Sequence, residues 1–460
     1  MTEVLRDMRT ARAAPPELPP FDHVPRPYTG PSRAEVLALR QRHVNPAVFT
    51  LYREPLMLVE GRMQYLYDET GRRYLDMFAG IVTVSCGHCH PRVVARVQEQ
   101  IETLQHTTTI YLHPNMPRFA ERLAAKLPPG IDTIYFVNSG SEANDLAITM
   151  ARLFTGNSDV IAVRNGYHGG SPSAMGLTSH STWKYPLAQS HNVHHALCPD
   201  PYRSHMAGTP DDIAAAGAAD VRDLIRYSTP GRIAAYIAEP IQGVGGATRG
   251  AANYFREAYA VAREHGGLCV ADEVQTGFGR TGEHYWGFEN WDVVPDIVTM
   301  AKGIGNGVPL AAVATRREIA ETLAQRLHFN TFGGNPVSMA AGLAVMEVIE
   351  EEGLQENARV IGGRLLQGFR ELQERHELVG DVRGMGLMLG VELVTDRGRR
   401  APARAETAAV METCRELGML VGKGGLDGNV LRIKPPMCIT AADADFAIEV
   451  LDVALTRAAR

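Results

Sequence analysis

Two short, mostly apolar runs, Gly267 to Ala271 and Asp296 to Met300, each give way to a residue that a hydrophobic core rejects: Asp272 directly after the first, and Lys302 just beyond the second. Runs too short for core helices and without polar alternation read as strands buried on both faces, which a parallel sheet covered by helices provides. Such strands end at the sheet edge where open α/β folds bind ligands. An acid and a lysine at that edge predict a site suited to a Schiff-base cofactor.

The same pattern extends along the chain. From about Asp76 to Pro336, short apolar runs alternate with amphipathic stretches. Strands are predicted at Thr133 to Val137, Asp159 to Val163, Ile233 to Ala238, Leu268 to Ala271 and Ile297 to Met300, with helices at Glu142 to Leu153 and Asn253 to Glu264. This predicts an α/β domain over residues 76–336, with a mostly parallel sheet flanked by helices. After Asn335-Pro336 come two long helical patterns, Ser338 to Glu351 and Ala358 to Arg375, and an apolar, glycine-bearing run from Gly384 to Val394. Residues 337–460 are therefore expected to form a smaller α+β domain joined by residues 31–75, and residues 1–30 an extended, proline-containing arm. A chain of 460 residues, 45% hydrophobic, can bury a core of that extent.

Charge and cysteine usage exclude several function classes. A net charge of -6 without a basic stripe argues against nucleic acid and anionic membranes as partners. No apolar run approaches the roughly 20 residues that cross a bilayer. Residues Met1 to Arg33 have no apolar signal core, and Arg6, Arg9 and Arg12 are balanced by Glu3, Asp7, Glu17 and Asp22, which weakens a transit-peptide reading. A cytoplasmic protein with reduced thiols is expected. Cys86-Gly87-His88-Cys89-His90 matches a haem-attachment pattern. No further ligands stand at metal spacing, so no metal is expected, and the segment reads as a turn before a helix opened by Pro91. A dinucleotide fingerprint starting at Gly303 would require glycine where Val308 stands.

A second motif, Val137-Asn138-Ser139-Gly140-Ser141-Glu142, passes from a strand through small polar residues into a helix. The first amides of a helix lack intrahelical partners and cup an anion well; the Ser139 and Glu142 spacing is equally that of a capping box, which needs no ligand. Beside Asp272 and Lys302 the cup gains meaning, because phosphate, ring nitrogen and aldehyde are the three handles of pyridoxal 5'-phosphate. Lys302 can form an imine with the aldehyde and later shuttle a proton, while Asp272 keeps the ring nitrogen protonated. Tyr167 and Val274 can cover the two ring faces, and Gln275 can bond the ring oxygen. Taken singly, each is as readily a core or capping residue.

From about Asn45 to Leu455 these residues resemble the class III aminotransferases of the fold type I pyridoxal-phosphate enzymes. The resemblance is carried by Asp272-Glu273-Val274-Gln275-Thr276-Gly277, Pro295-Asp296-Ile297-Val298-Thr299-Met300-Ala301-Lys302-Gly303, Tyr167-His168-Gly169, Glu239-Pro240 and Asn330-Thr331-Phe332-Gly333-Gly334-Asn335-Pro336. It implies a large domain with a seven-stranded type of sheet and a small α+β domain. It also implies Lys302, Asp272 and Tyr167 as catalytic residues and Ser139, Gly140, Ser141, His168, Glu239, Val274 and Gln275 in cofactor binding. Thr331 would reach the phosphate of a neighbouring subunit in a homodimer or homotetramer. Arg432, in Leu431-Arg432-Ile433-Lys434-Pro435, resembles the arginine that takes a substrate carboxylate. Where relatives acting on 4-aminobutyrate or ornithine carry glutamate, this chain has Val244, which resembles the alanine:glyoxylate aminotransferase branch. The implied reaction is ping-pong transfer of an amino group from alanine or a β-amino acid to glyoxylate or pyruvate, the alternative being a phospho-lyase acting on phosphorylated amino alcohols.

Overall fold

Seven strands form the central sheet: β1 (Thr133–Val137), β2 (Val160–Val163), β3 (Val193–Ala196), β4 (Ala235–Ala238), β5 (Leu268–Asp272), β6 (Ile297–Met300) and β7 (Ala311–Thr315). The computed structural model describes residues 15–189, 192–204, 206, 208–251 and 253–459. The strand order is β1-β7-β6-β5-β4-β2-β3, parallel throughout except that β7 runs antiparallel to both neighbours. Successive residues face opposite sides. Tyr236, Cys269, Ala271 and Val298 join one core, whereas Ile237, Val270, Ile297 and Val313 join the other. Burial on both faces explains why these strands lack polar alternation.

Two strands escaped the pattern. β7 reads Ala-Ala-Val-Ala-Thr, three of its five residues being alanine, which is depleted in strands, and β3 reads Val-His-His-Ala at the sheet's margin. Of the predicted strands, the second and third begin slightly later than expected, at Val160 and Ala235, and the fourth extends through Asp272. The run from Gly384 to Val394 is a hairpin of two strands, Val379–Met385 and Met388–Asp396. It turns through Gly386 at φ +53, where a Cβ would fall 2.5 Å from the Thr281 carbonyl carbon.

The helices begin where their caps dictate. Ser139 accepts from the Glu142 amide at the head of Gly140–Thr155, and Asn335 accepts from Ser338 at the head of Pro336–Glu351. Asn335-Pro336, read from sequence as a domain junction, is thus a helix start. Leu354–Arg375 follows Gly353 at φ +62, several residues ahead of the predicted Ala358.

A four-stranded sheet combines Leu58–Arg62, Tyr65–Asp68 and Arg73–Asp76 with Met419–Leu420, so residues before and after the central sheet pair with one another. The described part of the arm has no regular structure but packs on this sheet. Arg73 Nη2 donates to the Pro19 carbonyl at 2.5 Å, and the Phe21 and Tyr65 rings lie 4.6 Å apart. The arm's first fourteen residues lie outside the described residues. Cys86 is buried and Cys89 exposed. His88 bonds Asp76 at 2.7 Å, and Pro91 opens the helix Pro91–Thr103. Among the described residues no helix is long and apolar enough to cross a membrane.

Candidate active site

A cleft of ≈ 370 Å³ opens at the carboxyl edge of the sheet. It brings together Ser139, Gly140, Ser141, Tyr167, His168, Glu239, Asp272, Val274, Gln275 and Lys302, residues far apart in sequence. Parallel pairing sets Asp272 of β5 beside Thr299 of β6, and Lys302 follows three residues on. Lys302 takes φ +51, a region that residues with a Cβ seldom adopt, at the start of a tight turn ending at Gly305. Burial lowers the pKa of its amine, and the charges of Asp272 and Glu239 oppose that shift.

The Asp272 carboxylate is held on three sides. Oδ2 accepts from Asn144 Nδ2 and from His168 Nδ1, each at 2.8 Å, and Oδ1 accepts from the Val274 amide at 3.1 Å. Asn144 is fixed in turn, since Thr299 Oγ1 donates to its Oδ1 at 2.8 Å while its Nδ2 also reaches the His168 carbonyl. Burial pulls the His168 imidazole down, but the bond and charge of Asp272 outweigh it, leaving its pKa above the usual histidine value. Glu239 sits at the end of β4 and accepts from the amides of Tyr167 at 2.9 Å and Gly243 at 2.7 Å. Burial, then the charge of Asp272, raises its pKa. Burial also raises the Tyr167 phenol, whose ring meets Trp183 edge-on at 5.1 Å.

At the other end of the cleft, only half of the predicted capping box forms. Ser139 Oγ accepts from the Glu142 amide at 3.2 Å, but the Glu142 carboxylate bonds the Asn138 amide at 2.8 Å. The first backbone bond of the helix is Ala143 N to Ser139 O, so the Gly140 and Ser141 amides have no intrahelical partner. A Cβ on Gly140 would come within 3.2 Å of Val274, and one on Gly169, at φ +133, within 2.4 Å of Ser141 Oγ. Both glycines keep this end of the cleft open.

Thr331 and Arg432 do not line the cleft. Thr331 is exposed in the loop before Pro336. Arg432 is buried on the strand Val430–Ile433, its guanidinium 4.8 Å from the centre of the Phe78 ring. Its Nη1 reaches the Gly243 carbonyl only at 3.5 Å, and its Nε is buried without a partner. Burial pushes its pKa down to about 10, against the charge of Glu239. Four residues with a part in this geometry were not singled out from sequence: Asn144, Trp183, Thr299 and Lys434, whose buried Nζ bonds Gln275 Oε1. Only Asn144 left a signal, as an asparagine inside a helix, where it is disfavoured unless a tertiary partner holds it.

An orphaned amide cup, a held carboxylate and a lysine around one narrow cleft fit a flat ring carrying a phosphate and an aldehyde, as in fold type I pyridoxal-phosphate enzymes. Residues 51–455 match the model of the family Aminotransferase class-III. The chain is 55% identical over 440 residues to alanine--glyoxylate aminotransferase 2 homolog 2, mitochondrial, of Arabidopsis thaliana, covering 96% of this chain and 91% of that one. It is 46% identical over 462 residues to the human alanine--glyoxylate aminotransferase 2, mitochondrial, covering 96% and 90%. Among solved structures, an (S)-enantioselective omega-transaminase from Thermomicrobium roseum superposes with TM-score 0.87 at 34% identity, covering 94% of this chain and 100% of that one. A phospholyase from Arthrobacter in complex with phosphoethanolamine superposes with TM-score 0.86 at 33% identity, covering 92% and 99%.

The chain belongs to the class III aminotransferases. It has the fold type I architecture, and its chemistry is transamination of small molecules with pyridoxal phosphate. The cytoplasmic expectation is overturned, since both relatives are named as mitochondrial proteins. The composition and charge arguments that favoured it describe a water-soluble surface, and cytosol and organelle interior are equally aqueous.

Proposed function

We propose that this enzyme transfers the amino group of alanine or a β-amino acid to glyoxylate or pyruvate, and that Lys302, Asp272 and Arg432 divide the work. The observation that carries the substrate reading is the buried Arg432 guanidinium, which among the described residues has no carboxylate partner and an unpaired Nε. A buried guanidinium is costly until an anion reaches it, and its planar fork suits a carboxylate. Val244, where other branches carry glutamate, offers it no charge, so a substrate carboxylate beside the reacting amine is the natural partner.

Bound pyridoxal phosphate supplies an aldehyde that condenses with amines and a ring that accepts electrons. Lys302, its pKa lowered by burial, would present a larger share of neutral amine to the aldehyde and would move the substrate proton. Asp272, held by Asn144, His168 and the Val274 amide, would keep a proton on the ring nitrogen. Ser139, Gly140 and Ser141 take the phosphate at the helix start. Tyr167 and Val274 would cover the ring faces and Gln275 would bond the ring oxygen, while Glu239 holds the Tyr167 and Gly243 amides. Thr331 completes the phosphate cup of a neighbouring subunit in a homodimer or homotetramer. The domain limits inferred from sequence, with residues 31–75 and 337–460 flanking the large cofactor domain, fit this arrangement.

The likeness to the Arthrobacter phospholyase favours a second reading, elimination of phosphate from a phosphorylated amino alcohol. A donor and acceptor panel separates the two. Alanine with glyoxylate is expected to give glycine and pyruvate in equal amounts, a β-amino acid with pyruvate to give alanine and the corresponding keto acid, and phosphoethanolamine alone no phosphate. Phosphate release without a keto acid would replace the transferase reading.

A further inference from the structure

We propose that Lys434 is a positioning residue that fixes the side-chain amide of Gln275 so that its nitrogen donates to the ring oxygen of the cofactor. The proposal rests on the cofactor reading above and deepens it. Lys434 follows the strand that bears Arg432, is fully buried, and is anchored by its own amide, which donates to the Met77 carbonyl at 2.7 Å. Its Nζ donates to Gln275 Oε1 and to the Gly243 carbonyl, each at 3.1 Å. Were the amide reversed, an N–H of this buried amine would be left without an acceptor, so the oxygen end of Gln275 is the one that faces it. The Gln275 nitrogen is then the end left over. It makes no hydrogen bond among the described residues, and Gln275 lines the cleft.

Gly243 makes the arrangement possible. A Cβ there would fall 2.2 Å from both Cδ and Nε2 of Gln275, so only glycine lets the amide lie against this peptide. The peptide is itself clamped, its N–H donating to Glu239 Oε2 and its carbonyl accepting from Lys434. Two acceptors meet two of the amine's N–H groups, the number a neutral amine carries. Burial, together with the nearby Arg432, pushes Lys434 well below the usual lysine range, in keeping with that count.

The test is a pH titration of the visible absorbance of the holoenzyme and its variants. A donor on the ring oxygen favours its deprotonated form, so freeing the Gln275 amide should raise the midpoint. Lys434→Met, which keeps the length of the side chain, is expected to raise it by about half a pH unit or more. Gln275→Leu, which leaves Lys434 in place, should raise it similarly, and Lys434→Met should add nothing further in that background. An unchanged midpoint in either single variant, or equal shifts by Lys434→Met in both backgrounds, overturns the proposal. If Lys434→Met does not fold, Lys434→Leu takes its place in the same two backgrounds, with the same expected and overturning results. Failure of the cofactor reading looks different: the unaltered protein would then show no visible chromophore at all.

Discussion

In the role proposed for it, Lys302 would have to be neutral to condense with an aldehyde and later carry a proton, and its half-buried place beside two carboxylates suits both states. Lys302→Ala leaves the phosphate and ring contacts intact, so the cofactor should still bind while turnover falls by about 10²–10⁴-fold; single-turnover kinetics at saturating substrate measure this. Arg432→Lys keeps the charge but loses the fork. It should lower kcat/KM for carboxylate-bearing donors by about 10- to 150-fold, roughly 1.5–3 kcal/mol, and leave amines without a carboxylate little changed. Lys302 could be singled out in sequence because it stands just past an apolar run, whereas Arg432, inside the strand Val430–Ile433, was singled out only through the family resemblance. Asn144, Thr299 and Lys434 were not, since their roles arise from partners such as Asp272 and Gln275, distant in the chain.

At the scale of elements, the turn between a strand and the helix it feeds makes the site. Gly140 begins the helix after β1 where a larger residue would press on Val274. Gly140→Val should therefore weaken cofactor binding about tenfold, roughly one hydrogen bond to an anion, as read by equilibrium titration of the apoenzyme. The loop after β5 carries a different device. Glu273 accepts from Thr276 and from the Gly287 and Phe288 amides, and burial pushes its carboxyl up to about 7. Between the ordinary value near 4.5 and about 7 the folded state holds more protons than the unfolded one, so this residue's contribution to stability falls as pH rises through that window. Against Glu273→Gln, which does not titrate, the melting temperature of the unaltered protein should lose ground from about pH 5 to about pH 8; a constant difference would contradict this. Strands with branched residues, such as β6, announced themselves, whereas the alanine-rich β7 is a strand only because β1 and β6 pair with it.

The whole molecule carries apolar surface that a lone subunit leaves in water. Ile110 is 72% exposed, Tyr111 66%, Leu112 105% and Leu327 104%, and Thr331 lies in the same loop as Leu327. Exposed apolar residues in number mark interaction surfaces, and assembly of two or more copies is the expected state, measurable by light scattering. Thr331→Ala should weaken cofactor binding about tenfold without changing that state. The expectation of assembly came only from the family resemblance, because Leu112 or Leu327 reads in sequence like any core leucine. The central claim is a covalent bond between Lys302 and the cofactor. Borohydride reduction of the pyridoxal-phosphate-loaded protein, followed by peptide mass mapping, tests it most directly: a phosphopyridoxyl group on the peptide containing Lys302 is the predicted result, and a reduced protein with that lysine unmodified would contradict the account.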